Sequence, residues 1–229
     1  MPTTDLLSKV LPPEGEGYYC IVGLSQQDKV PPKQSFHQTL AEAEQKIDEL
    51  LHEKRNVYFA CAKYKDPKEG RTQPNGDIIK AFWIDVDCGL GKPYADQAEG
   101  LSALKTFCAK VHLPLPTIVN SGRGIHAYWR LTSVIDRLQW KPVAERLKAL
   151  CEEHEFFADP SRTADNASIL RVPETLNFKD EEGLPVELLA VEPEVEYEAI
   201  KSKIGVLIAP DWVKKQLDEV TKALLGNKA

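Results

Sequence analysis

The sequence predicts a mixed α and β fold, of the α+β class, because strand-like and helix-like patterns alternate along most of the chain. Three short runs rich in β-branched and aromatic residues predict strands: 18–24, 56–63 and 78–86. Three longer segments repeat apolar positions every three or four residues, which is typical of amphipathic helices: 39–54, 95–111 and 136–155. With 229 residues, 42% of them hydrophobic, the chain can bury a sizeable core in one or two domains.

The first elements follow from local signals. Prolines and glycines predict an irregular lead-in over 1–17, and the apolar run 18–24 then forms the first strand. Pro31 and Pro32 predict a loop. Thr39 is the expected N-cap of the helix 39–54, because a threonine hydroxyl can accept a hydrogen bond from the first helical turn.

The second half of the chain alternates in the same way. Two short strands, 117–120 and 125–131, flank a glycine-containing turn and therefore predict a hairpin. Asp136 is the expected cap of the helix that follows. The remaining elements are two strands and a last helix that starts at Pro210: 168–172, 186–191 and 210–224.

Charge and cysteine usage limit the functional classes. The net charge is −6, but eight acids and no Lys or Arg lie within 180–200, so the rest of the chain sums to +2 and can still form a basic groove. Five scattered cysteines without a CxxC indicate reduced thiols and a cytoplasmic location. No apolar run is long enough to predict a membrane span, so we expect no membrane partner.

The first group of chemistry-bearing residues is Asp85 and Asp87, at the end of the predicted strand 78–86. Because strand side chains alternate between faces, the two carboxylates point to the same side. Like charges repel unless a cation lies between them, and carboxylate oxygens suit Mg²⁺ or Mn²⁺. The pair therefore indicates a divalent metal site; the alternative is a solvated strand end, with Asp87 capping the turn into Gly89.

The second group is the turn 121–124, with His126 just after it. Gly122 and Gly124 let the backbone approach a ligand closely, and Arg123 offers a planar fork for phosphate oxygens. His126 can donate to a phosphate or transfer a proton. The alternative is an ordinary hairpin turn followed by a hydrogen-bonded histidine.

The third group combines a further carboxylate, Asp159 or Asp165, with Arg171 in a strand and Lys179 after a proline-containing bend. A nucleoside triphosphate and its metals need these types of residue. The alternative is that Arg171 pairs with an acid for structural reasons alone.

In this order, the three groups resemble the archaeo-eukaryotic primase superfamily, in its plasmid and phage primase-polymerase branch, over about residues 56–190. The resemblance rests on a DxD at a strand end, SGxGxH on the next hairpin and the later segment LRVPxTLNxK. It implies an RRM-like catalytic sheet packed against a second α/β unit, with the active-site cleft between them. The catalytic domain would span 18–192, followed by an acidic linker and C-terminal helix over 193–229.

The resemblance also implies individual roles. Metal binding falls to Asp85, Asp87 and Asp159, with Asp165 as the competitor for the third acid. These three acids and His126 form the expected catalytic set. The expected nucleotide-binding residues are Ser121, Arg123, Gly124, His126, Arg171, Asn177 and Lys179. One position departs from the family pattern, since Glu174 stands where glycine is frequent, and the bend there would be built differently.

The implied activity is primer synthesis on a DNA template by two-metal nucleotidyl transfer, in plasmid or phage replication. The partners would be single-stranded DNA, NTPs or dNTPs, and a replicative helicase or further replication domains. A non-catalytic single-stranded nucleic-acid-binding replication factor and, less favoured, a metal-dependent nuclease remain the alternatives. We expect no zinc, because the only available pairs are helix-end residues without a tight knuckle: Cys108 with His112 and Cys151 with His154.

Overall fold

A computed structural model describes residues 4–26, 30–179 and 182–205. The helices within these ranges are α1 (Thr4–Val10), α2 (Leu40–His52), α3 (Gln97–Lys110), α4 (Arg137–Glu153), α5 (Pro160–Thr163) and α6 (Tyr197–Lys203). The strands are β1 (Tyr19–Leu24), β2 (Lys33–His37), β3 (Asn56–Ala60), β4 (Ala62–Tyr64), β5 (Gly76–Asp87), β6 (Thr117–Asn120), β7 (Gly124–Asp136), β8 (Ile169–Arg171), β9 (Leu176–Asn177), β10 (Leu184–Pro185) and β11 (Glu187–Ala190).

Two antiparallel sheets organise the molecule. One has the strand order β11-β6-β7-β5-β4, the other has the order β2-β1-β3-β8, and β9 and β10 form a small ribbon. Strand, helix, strand, strand and helix follow one another as β5, α3, β6, β7 and α4, with β5 beside β7 in the sheet. The mixed α+β class predicted from the sequence is confirmed.

The predicted strand 56–63 divides between the two sheets. Its first part, β3, pairs with β1 and β8, whereas β4 pairs with β5 in the other sheet. The change occurs at Cys61, whose N–H donates to the Ser168 carbonyl and so makes the last hydrogen bond between the β3 and β8 segments before β4 joins the other sheet. This crossing holds the two sheets together and places their facing residues around a common cleft.

The three internal amphipathic helices are confirmed, with ends set by the expected caps. Thr39 and Asp136 each form a capping box, accepting from the N3 backbone N–H of α2 and α4. Asp96 caps α3 by accepting from Glu99. The apolar sides of these helices pack with Trp83, Trp129 and Trp140 into one large buried cluster.

Several predictions at the chain ends need correction. The lead-in over 1–17 is not wholly irregular: it contains α1, and Leu6, Leu7 and Val10 are buried in the main core. Ile200 of α6 is buried in the same core. Each of these two helices contains too few apolar residues to show a clear helical period in the sequence. Burial against the rest of the protein stabilises them.

Two further sequence predictions concern the loop at Pro31 and Pro32 and the helix from Pro210. The loop expected around residues 31–38 includes β2, which pairs with β1 along five positions. The helix predicted from Pro210 lies outside the described residues. Among the residues that are described, no helix is long and apolar enough to cross a membrane.

Candidate active site

The pairing of β5 with β7 brings the first two groups of predicted residues together. Asp85 lies directly opposite His126, and Asp87 lies opposite Gly124. Directly opposed residues of an antiparallel pair project to the same face. The two acids and the histidine therefore face one cleft, although they are about 40 residues apart in the chain.

That cleft contains a pocket of about 190 Å³ between the two sheets, which we call the inter-sheet pocket. It is lined by Tyr58, Asp85, Asp87, Ser121, Arg123, Gly124, His126, Asp159, Arg162, Ile169, Arg171, Asn177 and Lys179. Every residue that the sequence assigned to the site lies here, except the competitor Asp165. Three carboxylates thus face four cationic side chains in one small, polar space.

Asp159 reaches the pocket because its backbone is hydrogen-bonded to β5. Its N–H donates to the Asp85 carbonyl over 2.7 Å. Its carboxylate caps α5 and accepts from both the N–H and the hydroxyl of Ser161. Asp165 does not line the pocket, and its carboxylate accepts from the Ala167 N–H in a local turn. The geometry therefore favours Asp159 as the third acid.

Burial and like charge act strongly on Asp85. Only 21% of its side chain is exposed. Burial, followed by the charges of Asp87 and Asp159, raises its pKa to about 7. A carboxylate held near two others therefore resists ionisation until a cation approaches.

His126 is neutral at physiological pH. Burial, followed by the charge of Arg171, lowers its pKa to about 3. Its Nε2 atom lies 3.7 Å from Oδ1 of Asp85, which is too long for a hydrogen bond, and a neutral ring forms no ion pair. A buried neutral imidazole can still present an N–H to a phosphate oxygen.

The donor set fits Mg²⁺ or Mn²⁺. Three carboxylates converge on one pocket, where burial and then their mutual repulsion raise the pKa of Asp85. Two of them have internal partners: Lys92 lies 2.6 Å from Asp87, and Ser161 donates to Asp159. In the described part of the chain, no three acidic, histidine or cysteine side chains are already arranged around one ion position. Lys92 contacts only the Oδ2 atom of Asp87, so its Oδ1 atom is still available to a cation.

The turn 121–124 fits closely against its neighbours. A Cβ on Gly124 would lie 2.3 Å from the Val86 carbonyl oxygen, so only glycine permits this approach to β5. Gly122 has a positive φ of 87°, and a Cβ there would meet Asn177 at 2.9 Å. Asn177 donates to the Ser121 carbonyl and accepts from the Lys179 N–H. Its amide therefore positions the turn, and we assign it no direct contact with a ligand.

Arg171 is buried in the wall of the pocket. Its guanidinium donates to Asn56 over 2.7 Å and lies over the Tyr58 ring, 4.7 Å from its centre. Burial lowers its pKa from the usual value. The arginine is thus held rigidly with its charge directed at the cleft. Lys179, by contrast, is exposed at the rim.

Three relevant residues were missed in the sequence. Tyr58 is the cross-strand partner of Arg171, a pairing that sequence patterns do not reveal. Arg162 lies in α5, two residues after Pro160, and its carbonyl accepts from the Trp83 side chain. Lys92 follows Gly89 and Gly91, a loop signal that could have marked it as a neighbour of Asp87.

Two other predictions concern the bend at Glu174 and the cysteines Cys108 and Cys151. Glu174 has a positive φ of 63°, so the bend keeps the left-handed backbone that suits glycine instead of being built differently. Cys108 and Cys151 are buried, and burial raises the pKa of each thiol to about 12. The expected absence of zinc at these cysteines stays a prediction.

We expect Asp85→Asn to stabilise the metal-free protein at pH 8 and to leave its stability nearly unchanged at pH 4. The pKa of Asp85 is about 7 in the folded chain against a model value of 3.8. Ionisation therefore costs folding free energy that is absent below about pH 4, grows as the pH rises and is complete above pH 7. The gain at pH 8 is at most about 4 kcal/mol.

Denaturant unfolding in EDTA at both pH values measures this effect. Asp77→Asn is the matched control, because Asp77 lies on the same strand but pairs with Lys65 outside the pocket. A destabilised Asp85→Asn protein at pH 8 would show instead that native contacts favour the ionised carboxylate.

No protein-family model matches the chain, and no curated protein matches its sequence. Solved structures do match its fold. The AEP domain of the cyanophage S-2L primase-polymerase has a TM-score of 0.62 at 16% identity, over 82% of this chain and 89% of that one. The primase RepB′ has a TM-score of 0.58 at 14% identity, over 96% of this chain, which spans 65% of that primase.

The catalytic domain of RepB′, solved with initiator DNA, gives a TM-score of 0.57 at 14% identity, over 96% of this chain and 95% of that domain. Identities this low establish the fold alone. The architecture implied by the DxD, SGxGxH and LRVPxTLNxK segments is nevertheless confirmed. The chain therefore has the fold of an archaeo-eukaryotic primase catalytic domain.

Proposed function

We propose that this chain is a DNA primase or primase-polymerase, which joins nucleotides on a single-stranded DNA template. The observation that carries the proposal is the inter-sheet pocket, where three carboxylates meet four cations and a neutral histidine. The fold shared with primase catalytic domains supports it. The RepB′ domain was solved with initiator DNA, which supports DNA as the template here.

Asp85, Asp87 and Asp159 would hold the divalent metal ions, with Asp159 as the third carboxylate ligand. Mg²⁺ or Mn²⁺ bound there would lower the pKa of an attacking hydroxyl and neutralise charge on a triphosphate. The protein's own contribution is to fix the three carboxylates. β5 positions two of them, and the hydrogen bond from the Asp159 N–H to the Asp85 carbonyl positions the third.

The cationic wall would bind the phosphates of the incoming nucleotide. Arg171 is held by Asn56 and Tyr58, so its charge is preorganised and needs little rearrangement when a ligand binds. Arg123, Arg162 and Lys179 line the same space. His126, as a neutral ring, would donate its single N–H to a phosphate oxygen.

In the proposed reaction, a 3′-oxygen forms a bond to the α-phosphorus of the incoming nucleotide. The bond between that phosphorus and the oxygen that bridges to the β-phosphate breaks, and pyrophosphate leaves. The hydroxyl proton passes to water. The guanidinium and ammonium groups of the pocket stabilise the charge that develops on the pyrophosphate.

The charge distribution favours this reaction over the alternatives. A site that only binds a nucleic-acid backbone gains nothing from three clustered carboxylates, which repel phosphates. A metal-dependent nuclease needs the acids, but it does not need four cationic side chains in the same pocket. The size and polarity of the inter-sheet pocket suit the phosphates of a nucleotide. A replicative helicase or further replication domains remain proposed partners.

Synthesis on circular single-stranded DNA tests the proposal, because a circle provides no 3′ end to extend. We expect labelled NTPs or dNTPs with Mg²⁺ or Mn²⁺ to give short labelled products while the circle stays intact. A cut circle without labelled product would assign the site to a nuclease. Binding of the circle to the protein without synthesis or cleavage would indicate a non-catalytic single-stranded nucleic-acid-binding factor.

We expect Lys179→Ala to raise the KM for the incoming nucleotide about tenfold, with a smaller effect on kcat. Lys179 is exposed at the pocket rim, so its loss removes one phosphate contact without disturbing the core. Steady-state extension at varied nucleotide concentration measures the change. Lys105→Ala, an exposed lysine of α3 outside the pocket, is the control. Equal KM values for the two variants would remove Lys179 from the phosphate site.

A further inference from the structure

A second, larger cavity adjoins the inter-sheet pocket. It has a volume of about 730 Å³ and lies beside the end of α4 and the start of α5. We call it the Phe157 pocket; it is lined by Asp87, Lys92, Pro93, Lys148, Cys151, Glu152, Glu155, Phe156, Phe157, Ala158, Asp159, Pro160 and Thr163. Only Asp87 and Asp159 line both cavities. These two carboxylates therefore form the boundary between them.

We infer that the Phe157 pocket binds the nucleoside whose 3′-hydroxyl attacks. The inference rests on the proposed nucleotidyl transfer. In such a displacement, the attacking and leaving oxygens lie roughly in line on opposite sides of the phosphorus. The cations that would hold the leaving pyrophosphate line the inter-sheet pocket, and Arg123, Arg171 and Lys179 are absent from the lining of the other cavity. The attacking group must then approach across the acids, from the Phe157 pocket.

Phe157 supplies the surface for the base. Its side chain is 57% exposed, and it is the one aromatic among the large, exposed hydrophobic side chains of the described residues. Its backbone N–H donates to the Tyr94 hydroxyl over 2.9 Å, and the two rings lie 6.2 Å apart. A large apolar ring kept in contact with water at a fixed position suits stacking against a nucleobase.

The two lysines of the cavity and its size fit the same occupant. Lys92 and Lys148 line the cavity and can contact the phosphates of the attacking strand, although Glu152 and Glu155 also face it. Lys92 pairs with Asp87, which places its ammonium group at the boundary between the two cavities. The volume is within the range of small-molecule sites. The inter-sheet pocket, at about 190 Å³, is too small to enclose two nucleotides.

The nucleoside could belong to the end of a primer or to the first nucleotide of a new chain, and two kinetic arms distinguish these sources. One arm measures extension of a primer annealed to its template, and the other measures dinucleotide formation on unprimed DNA. We expect Phe157→Ala to raise the KM for the attacking strand or nucleotide about tenfold in at least one arm. The KM for the incoming nucleotide should not change.

Matched variants separate stacking from general damage. Phe157→Tyr keeps the aromatic ring and should retain near-wild-type KM values. Leu138→Ala removes another exposed hydrophobic side chain, 71% exposed on α4 and outside both cavities, and should change nothing. Unchanged KM values for Phe157→Ala in both arms, in an enzyme that is active, would overturn the inference and leave the proposed function intact.

A crosslinking arm does not depend on catalysis. The probe is a template-annealed primer that ends in a dideoxynucleotide, with 4-thiothymidine next to the end, and no incoming nucleotide is present. We expect crosslinks at residues of the Phe157 pocket. Such crosslinks in a protein that synthesises nothing would support the pocket and contradict the proposed function. Crosslinks confined to other surfaces would overturn the inference.

Discussion

Asp87→Asn should lower the rate of nucleotide incorporation about a thousandfold or more while leaving the fold intact. The substitution removes one of the three carboxylates proposed to hold Mg²⁺ or Mn²⁺. With it goes a negative charge that attracts these cations. The folded state should tolerate it, because the Asp87–Lys92 pair is about half exposed and contributes little stability. Single-turnover incorporation, with circular dichroism as the check on folding, measures both effects.

The same strand provides the control for this prediction. Asp77→Asn changes another carboxylate of β5 but lies outside the inter-sheet pocket, so its rate should remain within about twofold of wild type. A folded Asp87→Asn protein that retains a tenth or more of the wild-type rate would show that Asp87 does not hold a catalytic metal.

Asp159→Asn and Asp165→Asn should have opposite outcomes, with a loss of about a hundredfold in rate for the first and almost none for the second. Asn keeps the side-chain oxygen that caps α5 or accepts from Ala167, so each substitution removes charge without removing the local hydrogen bond. Only Asp159 lines the pocket and raises the pKa of Asp85.

Parallel rate measurements on the two variants decide the identity of the third acid. Metal affinity provides a second reading, because Asp159→Asn should weaken Mn²⁺ binding in calorimetry and Asp165→Asn should not. The reverse result, an inactive Asp165→Asn protein with normal folding, would assign the third position to Asp165 despite its distance from the pocket.

Local patterns sufficed for the elements with strong signals. The helices begun by Thr39 and Asp136 carry both a cap and a long apolar period, and both were predicted from the sequence. The short elements α1 and β2 were missed, because their formation depends on burial against distant parts of the chain. The division of 56–63 between two sheets has no local signal at all, since it depends on where Ser168 lies.

The site was predictable where chemistry is concentrated in short motifs. Strand alternation alone placed Asp85 and Asp87 on one face, whereas the position of His126 opposite Asp85 depends on the pairing of β5 with β7, which the structure supplies. The choice between Asp159 and Asp165 needed the structure, because a loop does not fix which carboxylate reaches the cleft. Tyr58 and the Phe157 pocket could not be found from sequence, since each depends on the packing of segments far apart in the chain.

The most direct test of the account is synthesis on four homopolymer DNA templates, each with all four labelled nucleotides. Wild-type protein and the double variant Asp85→Asn/Asp87→Asn should be compared with Mg²⁺ and with Mn²⁺. We expect the wild type to incorporate only the nucleotide complementary to each template and the double variant to incorporate none. Incorporation that ignores the template, or equal synthesis by the two proteins, would contradict the proposed function.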